Sequence, residues 1–471
     1  MIILSKIDCV NLCYASNYHS GCFGRSATIP THLNKYQQSG NIVSDKQLIS
    51  CEIVDLSHDG RGVGRVNGKA CFIDGALPEE TVEFRYTKRK RNYDEGIVTK
   101  VLGASTHRDE PSCKHYSRCG GCSLQHLNHA QQIEFKQQQL LNSMSRAGLE
   151  WDELLPPISA SQWDYRRRAR LAVQRAKDGS YGIGFRYAGS RRIEPITECP
   201  VLAEPLSEIV TLLPAWLRDL CGAFRVHTVE LIAADNAVAV AVEARNSPAP
   251  DLMSPLLESL QSKITTPVQL WWKADKQARF RQLNKTSDKL TFAVTENIEL
   301  AFEPGQFIQI NGQINRDMVA QMLSLLPDRG GTAIDLFCGT GNLSLPLSQQ
   351  FDHVIGFEGL SDLVTGAIDN ARLNAIHNVD FAVADLSTGI DLSSNIDLIV
   401  LDPPRSGAAG ITPWVAKSQA SKVIYISCHP STMIRDAKVL VEAGYSVAAA
   451  GVMDMFPNTT HVEAMVLFER R

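Results

Sequence analysis

Residues 335–344, DLFCGTGNLS, decide the fold of the C-terminal part of this 471-residue chain. An apolar, strand-like segment leads into this run, and Gly339 and Gly341 permit a tight turn that opens a helix. From about residue 301 onward, strand-like and helical segments alternate, which predicts a parallel, doubly wound α/β domain with helices on both faces. The predicted strands read, in chain order, TAIDLFC, HVIGFE, VDFAVAD, IDLIVLDPP, KVIYISC and AMVLFER.

Acidic residues follow these strands at the edge where the glycine turn lies. Glu358 closes the second strand, where its carboxylate could accept hydrogen bonds from both hydroxyls of a ribose. Asp385 ends the third strand and could face an adenine amine, and Asp402 begins Asp-Pro-Pro-Arg after the fourth. The ordered set predicts a nucleoside cofactor, with generic turns as the alternative. A dinucleotide fingerprint would need a third glycine where Ser344 stands, which disfavours a nicotinamide cofactor.

Cys428 ends the strand KVIYISC on the same edge of the sheet. A cysteine at a strand end is most often an inert apolar residue. Beside a cofactor site, however, a thiolate is a nucleophile that can add to carbon 6 of a uracil ring. The adduct would let carbon 5 attack a sulfonium methyl group, after which a general base must remove the carbon-5 proton. Glu463, at the head of the last strand, is the predicted base; taken alone it would be an ordinary surface acid.

A cysteine cluster lies in the middle of the chain. CKHYSRCGGC places Cys113, Cys119 and Cys122 in a C-x5-C-x2-C spacing, and Cys199 of ECPVL is the best candidate for a fourth ligand. Four thiolates suit either a structural zinc ion or an iron–sulfur cluster, and the spacing alone leaves both open. Four other cysteines are predicted to be buried packing residues: Cys51, Cys71, Cys221 and Cys338.

The N-terminal part of the chain has a different pattern. Residues 1–45 lack periodicity and are predicted to be a disordered extension. Residues 46–104 alternate with period two between glycine-containing turns, which predicts a small β-barrel. Residues 105–300 are predicted to form a central α+β domain that contains the cysteine cluster, and residues 301–471 the doubly wound domain.

Basic residues are concentrated away from the doubly wound domain. The net charge is −4, but residues 301–471 hold 10 Lys and Arg against 18 Asp and Glu, which leaves 37 against 33 for residues 1–300. Residues 163–192 contain nine Arg and Lys and five aromatic residues, and residues 88–91 read KRKR. Guanidinium groups bind phosphate and aromatic rings stack on bases, so both stretches are predicted to contact RNA, with a solvated strand face as the alternative.

From about residue 46 to the end, these motifs resemble the bacterial uracil-5 ribosomal RNA methyltransferases of the RlmD (RumA) type. The resemblance implies a TRAM-type RNA-binding barrel and a Rossmann-like S-adenosylmethionine-dependent methyltransferase domain. It implies methylation of carbon 5 of a uridine in 23S ribosomal RNA, at uridine 1939, with Cys428 as nucleophile and Glu463 as base. The residues that match its S-adenosylmethionine positions are Gln309, Phe337, Asn342, Glu358, Asp385 and Asp402. The residues that match its [4Fe–4S] ligands are Cys113, Cys119, Cys122 and Cys199.

The sequence departs from this family at two positions. His429 follows the nucleophile where the family commonly has Asn, and Asp385 also stands where Asn is expected. Three alternatives stay open: a uracil-5 methyltransferase for another ribosomal or transfer RNA uridine, a non-catalytic RNA-binding protein, and an amino-group methyltransferase. The last is disfavoured because such enzymes resemble Asn-Pro-Pro-aromatic where this chain has Asp402-Pro403-Pro404-Arg405.

The setting of the protein is predicted from its apolar segments. No apolar run approaches the length that spans a bilayer, and Lys6 and Asp8 interrupt the N-terminal apolar stretch, which makes it a poor signal peptide. We therefore expect a cytoplasmic protein without membrane contact, acting on a loop or locally unfolded segment of RNA. A monomer is the expected state.

Overall fold

The structure is a computed structural model that describes residues 48–175, 179–223, 225–246, 250–275, 279–284, 288–392 and 395–471. The predicted disordered extension, residues 1–45, lies outside the described residues. Within the described residues, no helix is both long enough and apolar enough to span a membrane.

Five strands at the start of the described chain close into a barrel. They are β1 (Ile49–Leu56), β2 (Gly62–Val66), β3 (Lys69–Asp74), β4 (Thr81–Arg89) and β5 (Tyr93–Gly103), in the order β1-β2-β3-β5-β4. Cys51 and Cys71 are buried in its core, as predicted. The fit is tight at Gly64, where a Cβ atom would stand 2.4 Å from the sulfur of Cys51, so glycine is required there. The barrel predicted from the period-two pattern is confirmed.

The middle of the chain forms a seven-stranded sheet covered by helices. The helices and strands of this part of the chain, in chain order, are α1 (His129–Arg146), β6 (Trp151–Leu154), β7 (Arg168–Arg175), β8 (Tyr181–Arg186), β9 (Ile193–Pro195), α2 (Glu204–Ala223), β10 (Val226–Ala233), β11 (Val238–Ala244), α3 (Pro250–Gln261), β12 (Val268–Lys273), β13 (Arg281–Gln282), β14 (Leu290–Ala293) and β15 (Glu299–Phe302). The strand order of the sheet is β13-β12-β11-β10-β7-β8-β9, and β14 pairs with β15 separately. The apolar residues of α2 and α3 pack on one face of this sheet.

The last third of the chain builds an α/β unit around an eight-stranded sheet, here called the C-terminal sheet. Its elements are α4 (Gly312–Ser324), β16 (Gly330–Leu336), α5 (Ser344–Leu347), β17 (Phe351–Glu358), α6 (Ser361–Leu373), β18 (Val379–Val383), β19 (Leu398–Leu401), α7 (Thr412–Ser418), β20 (Lys422–Ser427), α8 (Pro430–Glu442), β21 (Tyr445–Met453) and β22 (Glu463–Arg470). The strand order is β18-β17-β16-β19-β20-β22-β21-β6, and the five strands from β18 to β20 are parallel. Chain order reverses at β16, the switch point where such sheets bind ligands.

The C-terminal sheet differs from the prediction at one edge. β22 runs antiparallel between β20 and β21 rather than parallel, and β21, which the sequence pattern did not single out, is a buried strand of nine residues. β6 adds to β21, and helix α1 packs its buried Leu140 and Met144 into the same core. Residues 129–154 therefore pack with the C-terminal sheet, although the sequence prediction placed them in the central domain.

Candidate active site

The glycine turn after β16 has a left-handed backbone at three positions. Phe337, Gly339 and Gly341 have φ angles of 68°, 58° and 97°. A bulky residue at positive φ costs on the order of 1–3 kcal/mol, and such strain concentrates at ligand sites. Two hydrogen bonds hold it in place, because the backbone N–H groups of Phe337 and Cys338 both donate to the carbonyl of Phe357, at 2.9 and 3.1 Å. Cys338 is buried, as predicted.

Ser344 has a structural reason to replace the third glycine of a dinucleotide fingerprint. Its hydroxyl donates to the carboxylate of Asp335 at 2.5 Å, and both side chains are fully buried. Asp335 is the penultimate residue of β16 and Ser344 is the first residue of α5, so this bond fastens the start of the following helix to the strand.

Glu358 is fixed against the glycine turn. Its Oε2 accepts the N–H of Gly339 at 3.2 Å, and its Oε1 accepts the N–H groups of Gly359 at 2.9 Å and Leu360 at 3.2 Å. A carboxylate oriented by three backbone donors at the end of β17 is preorganised for the hydroxyl groups of a ribose. The structure brings Glu358, at the end of β17, next to the glycine turn that contains Phe337.

Asn342 is held by a residue that the sequence analysis missed. The side-chain amides of Asn342 and Asn315 pair reciprocally, with N···O distances of 2.9 and 3.0 Å. Asn315 is 1% exposed and lies on α4, whose N-cap is Asn311 at the end of FIQIN. Gln309 itself is half-buried between Ile308 and Ile310.

Asp385 stands at the margin of this edge. It is exposed, and its Oδ1 accepts the hydroxyl and the N–H of Ser387 at 2.6 and 3.0 Å. These hydrogen bonds lower the pKa of Asp385, so the side chain stays ionised at neutral pH. Asx-turn geometry of this kind fixes an acceptor without making it specific for one ligand.

The antiparallel direction of β22 brings the two predicted catalytic residues to the same end of the sheet. Ser427 of β20 is in register with Ala464 of β22. Cys428 directly follows Ser427, and Glu463 directly precedes Ala464, so the two predicted catalytic residues flank the last paired position of these strands. Both residues are partly exposed. Cys428 also lies two residues before α8, whose N-terminal partial positive charge favours a nearby anion.

Asp402 lies on the same edge, one strand away. Leu401 is in register with both Leu336 of β16 and Tyr425 of β20, and the N–H of Asp402 reaches the carbonyl of Leu336 at 3.4 Å. Asp402 thus leaves the sheet between the glycine turn and the end of β20. The strand order therefore brings to one rim the ends of four parallel strands and the start of β22, with the predicted site residues Phe337, Glu358, Asp402, Cys428 and Glu463.

Two further residues at this rim were not assigned roles from the sequence. Arg405 lies 3.3 Å from Nδ1 of His461, which stands two residues before Glu463. Burial, followed by the charge of Arg405, lowers the pKa of His461 to about 3, so its imidazole is neutral. The unexpected His429 caps α8, and partial burial and Arg405 lower its pKa as well. The sequence did offer a signal for these residues, because His461 lies in HVE beside the predicted base and Arg405 lies in DPPR after Asp402.

The four predicted cluster ligands line a single cavity. Cys113, Cys119, Cys122 and Cys199 surround it together with Tyr116 and Phe185. Burial, reinforced by neighbouring thiols, raises the pKa of Cys122 and that of Cys199, the latter to about 12. The N–H of Gly121 points to the sulfur of Cys119 at 3.3 Å, where a side chain at position 121 would crowd it. Among the described residues, however, no three His, Cys, Asp or Glu side chains converge closely enough to hold one metal ion.

The predicted basic surface is divided by the structure into two parts. The inner arginines of β7 are ion-paired with carboxylates: Arg168 with Glu230 and Arg170 with Glu243. These side chains hold the central sheet together, so the prediction that the whole segment contacts RNA is too broad. Its far end stays open: Arg186, Arg191 and Arg192 are exposed, as are residues 88–91 of the barrel.

Comparison with known proteins identifies the family to which this chain belongs. Residues 128–471 match the family model described as tRNA (Uracil-5-)-methyltransferase, and residues 49–99 match the TRAM domain. The chain belongs to the uracil-5 methyltransferase family. It is 40% identical over 447 residues to the Shewanella baltica 23S rRNA (uracil(1939)-C(5))-methyltransferase RlmD, covering 90% of this chain and 97% of that protein. The Legionella pneumophila RlmD is 38% identical over 442 residues, with 89% and 97% covered.

A solved structure extends the likeness to the whole fold. The Pyrococcus abyssi tRNA (uracil-54, C5)-methyltransferase in complex with S-adenosyl-L-homocysteine superposes with a TM-score of 0.70, covering 89% of this chain and 99% of that one at 22% identity. The C-terminal sheet is therefore the S-adenosylmethionine-dependent methyltransferase fold, and the barrel is the TRAM domain of this family member.

The Asn315–Asn342 pair gives a test of the cofactor loop. In Asn315→Leu, the amide of Asn342 loses its reciprocal partner, and an unsatisfied polar group at a partly buried site costs on the order of 1–3 kcal/mol. We expect the dissociation constant of S-adenosylhomocysteine, measured by isothermal titration calorimetry, to rise about tenfold. Gln313→Leu, an exposed position on the same helix, is the control. An unchanged affinity in Asn315→Leu would separate Asn342 from cofactor binding.

Proposed function

We propose that this enzyme transfers the methyl group of S-adenosylmethionine to carbon 5 of the uridine in 23S ribosomal RNA that corresponds to uridine 1939. The observation that supports the chemistry is the antiparallel register of β20 and β22, which ends at Ser427 and Ala464, the sequence neighbours of Cys428 and Glu463. The target follows from the RlmD relatives, which this chain matches over 97% of their length.

The reaction needs both members of the pair in sequence. The thiolate of Cys428 adds to carbon 6 of the uracil, and the electron pair moves to carbon 5. Carbon 5 then takes the methyl group from the sulfonium, which leaves as S-adenosylhomocysteine. The carboxylate of Glu463 accepts the carbon-5 proton, the double bond re-forms, and the thiolate departs from carbon 6. No redox step is involved, and the two residues return to their starting states once Glu463 releases its proton.

The target uracil has to present the face of its ring to Cys428 and Glu463. Attack on carbon 6 requires a uridine that is unstacked from its neighbours and inserted at the rim, which suits a loop or an opened segment of RNA. Exposed arginines on β8 and near β9, with Arg192 5.2 Å from the ring of Tyr187, offer a phosphate-binding and stacking surface for the flanking strand. Arg405 contacts His461, which lies two residues before Glu463, so this pair adjoins the proposed base in sequence.

One chain supplies the cofactor loop, the nucleophile and the base, so a monomer is sufficient for the reaction. We infer that the enzyme works as a monomer in the cytoplasm, where its ribosomal RNA substrate is made.

The target is tested by mapping 5-methyluridine in ribosomal and transfer RNA from cells with and without this gene. We expect deletion to remove the modification from one 23S uridine, at the position equivalent to 1939, and to leave transfer RNA unchanged. Re-expression of the wild-type gene should restore it. Loss of a transfer RNA methylation with intact 23S RNA would overturn the assignment of substrate while leaving the uracil-5 chemistry in place.

The mechanism is tested by Glu463→Gln. Glutamine cannot accept the carbon-5 proton, so addition and methyl transfer should proceed while release stalls. We expect turnover to fall by about 10²–10⁴-fold and a protein–RNA species to accumulate that survives denaturing gel electrophoresis.

The matched control is Cys428→Ala, which should bind S-adenosylmethionine nearly as well as the wild type yet give neither methylation nor a covalent species. Substantial methylation by Cys428→Ala, or a covalent species in that variant, would refute the proposed role of this thiol.

We further propose that Cys113, Cys119, Cys122 and Cys199 hold a [4Fe–4S] cluster. A single zinc ion would draw its thiolates to about 3.8 Å from one another, whereas a four-iron cube takes one thiolate at each iron and spaces them more widely. The four thiols that line one cavity would supply the four ligands that such a cube needs. Methyl transfer needs no electron, so the role of the group would be structural.

Metal analysis distinguishes these assignments. We expect anaerobically purified protein to be brown and to contain about four iron atoms per chain. Cys199→Ala should lose the iron, whereas Cys71→Ala, which changes a buried barrel cysteine outside the cavity, should retain it. A colourless, zinc-containing protein would refute the cluster.

A further inference from the structure

The loop that leads into Glu463 is tied to helix α1 by a buried ion pair. This loop, residues 454–462, joins β21 to β22 and is called here the base loop. Lys136 of α1 donates to Oδ1 of Asp454 at 2.6 Å and to the carbonyl of Phe456 at 2.9 Å. His129 contacts the other carboxylate oxygen of Asp454 at 2.8 Å. Lys136 and Asp454 are only 1% and 2% exposed.

A second buried contact from α1 fixes the middle of the same loop. The side-chain oxygen of Gln132 accepts the N–H of Asn458 at 2.7 Å, and its amide donates to the side chain of Asn458 at 3.2 Å. Both residues are fully buried, and Asn458 has a left-handed backbone with a φ of 64°. A non-glycine residue holds that conformation only where its surroundings impose it.

The segment that follows the cysteine cavity contacts the loop from the other side. The N–H groups of Ser123 and Leu124 donate to the carbonyl of Asn458 at 2.8 and 2.9 Å, and the hydroxyl of Ser123 accepts the N–H of Thr460 at 3.2 Å. The first turn of the barrel also packs there, since a Cβ on Gly60 would stand 2.8 Å from Thr460. Barrel, cysteine segment and α1 all meet at the base loop.

A buried lysine–carboxylate pair is a poor source of stability, because apolar residues of similar volume usually stabilise a fold as well or better. Burial would raise the pKa of Asp454, but the charge of Lys136 and the hydrogen bond from His129 outweigh it, so the carboxyl stays ionised at neutral pH. What such a pair provides is a defined geometry. The loop that this pair anchors ends directly before Glu463, the first residue of β22.

We propose that Lys136 and Gln132 are positioning residues for the general base: by clamping Asp454 and Asn458 they hold the base loop so that Glu463 faces the carbon-5 proton above Cys428. This inference rests on the proposed function. Because proton removal follows methyl transfer, the clamp governs the breakdown of the covalent intermediate and leaves its formation unaffected.

The test is a single-turnover experiment with radiolabelled RNA and saturating S-adenosylmethionine. In Lys136→Met we expect the covalent species to form within twofold of the wild-type rate and to decay at least tenfold more slowly, as read from denaturing gels over time. Gln138→Met, an exposed position on the same helix, is the control and should decay at the wild-type rate. A wild-type decay rate in Lys136→Met would overturn the proposal.

In Lys136→Met the buried carboxylate of Asp454 loses its positive partner, and the variant could fail to fold for that reason. A double variant covers this case. Lys136→Met/Asp454→Leu removes both charges, and a folded double variant with slow decay supports positioning, whereas wild-type decay refutes it.

The proposed function and the positioning role fail in distinguishable ways. If wild-type enzyme forms no covalent species, the covalent mechanism is wrong. If wild-type enzyme forms it and both variants release it normally, only the positioning role is wrong.

Discussion

The reversal of β22 within an otherwise parallel set of strands is the constraint on which the active site depends. A parallel strand at that position would bring its C-terminal end to the rim beside β20, and Glu463, its first residue, would stand at the opposite end of the sheet. Because β22 is antiparallel, its first residue lies beside the last residues of β20. The predicted nucleophile directly follows β20 and the predicted base begins β22, so the two residues lie at neighbouring strand ends.

The cofactor side of the rim is organised by backbone geometry more than by side-chain charge. The left-handed conformation at Phe337 is retained because two N–H groups are committed to the carbonyl of Phe357. Glu358 is in turn oriented by the N–H groups of the same turn. The reacting parts are thus fixed relative to one sheet, which is how an enzyme lowers a barrier by orientation and avoids reorganisation during the reaction.

Much of this site could be predicted from the sequence because its residues sit at strand ends. A strand end is recognisable from an apolar run, so Glu358, Asp402 and Cys428 could be placed on one edge before any coordinates were known. Asn315, Lys136 and Gln132 could not, because their partners lie 27, 318 and 326 residues away and a polar residue on a helix normally faces solvent. The direction of β22 was also missed, since a strand pattern carries no information on orientation.

The basic segment, residues 163–192, also shows that contacts between distant parts of the chain cannot be predicted from the sequence. Composition alone could not separate arginines that bind carboxylates from arginines that face solvent. Arg168 and Arg170 meet Glu230 and Glu243 only because β10 lies beside β7 in the sheet and β11 lies beside β10. Positive charge in a sequence therefore overstates the surface that is open to RNA, and here the open part lies toward the far end of β8.

The most direct test of the account uses a 23S RNA fragment that carries 5-fluorouridine at the target position. Fluorine at carbon 5 cannot be removed as a proton, so the intermediate should be trapped after methyl transfer. Digestion with nuclease and protease, followed by mass spectrometry, should find the methylated, fluorinated nucleotide attached to the peptide that contains Cys428. Attachment to another residue, or methylation with no attachment at all, would contradict the claim that this thiol and Glu463 act as a pair.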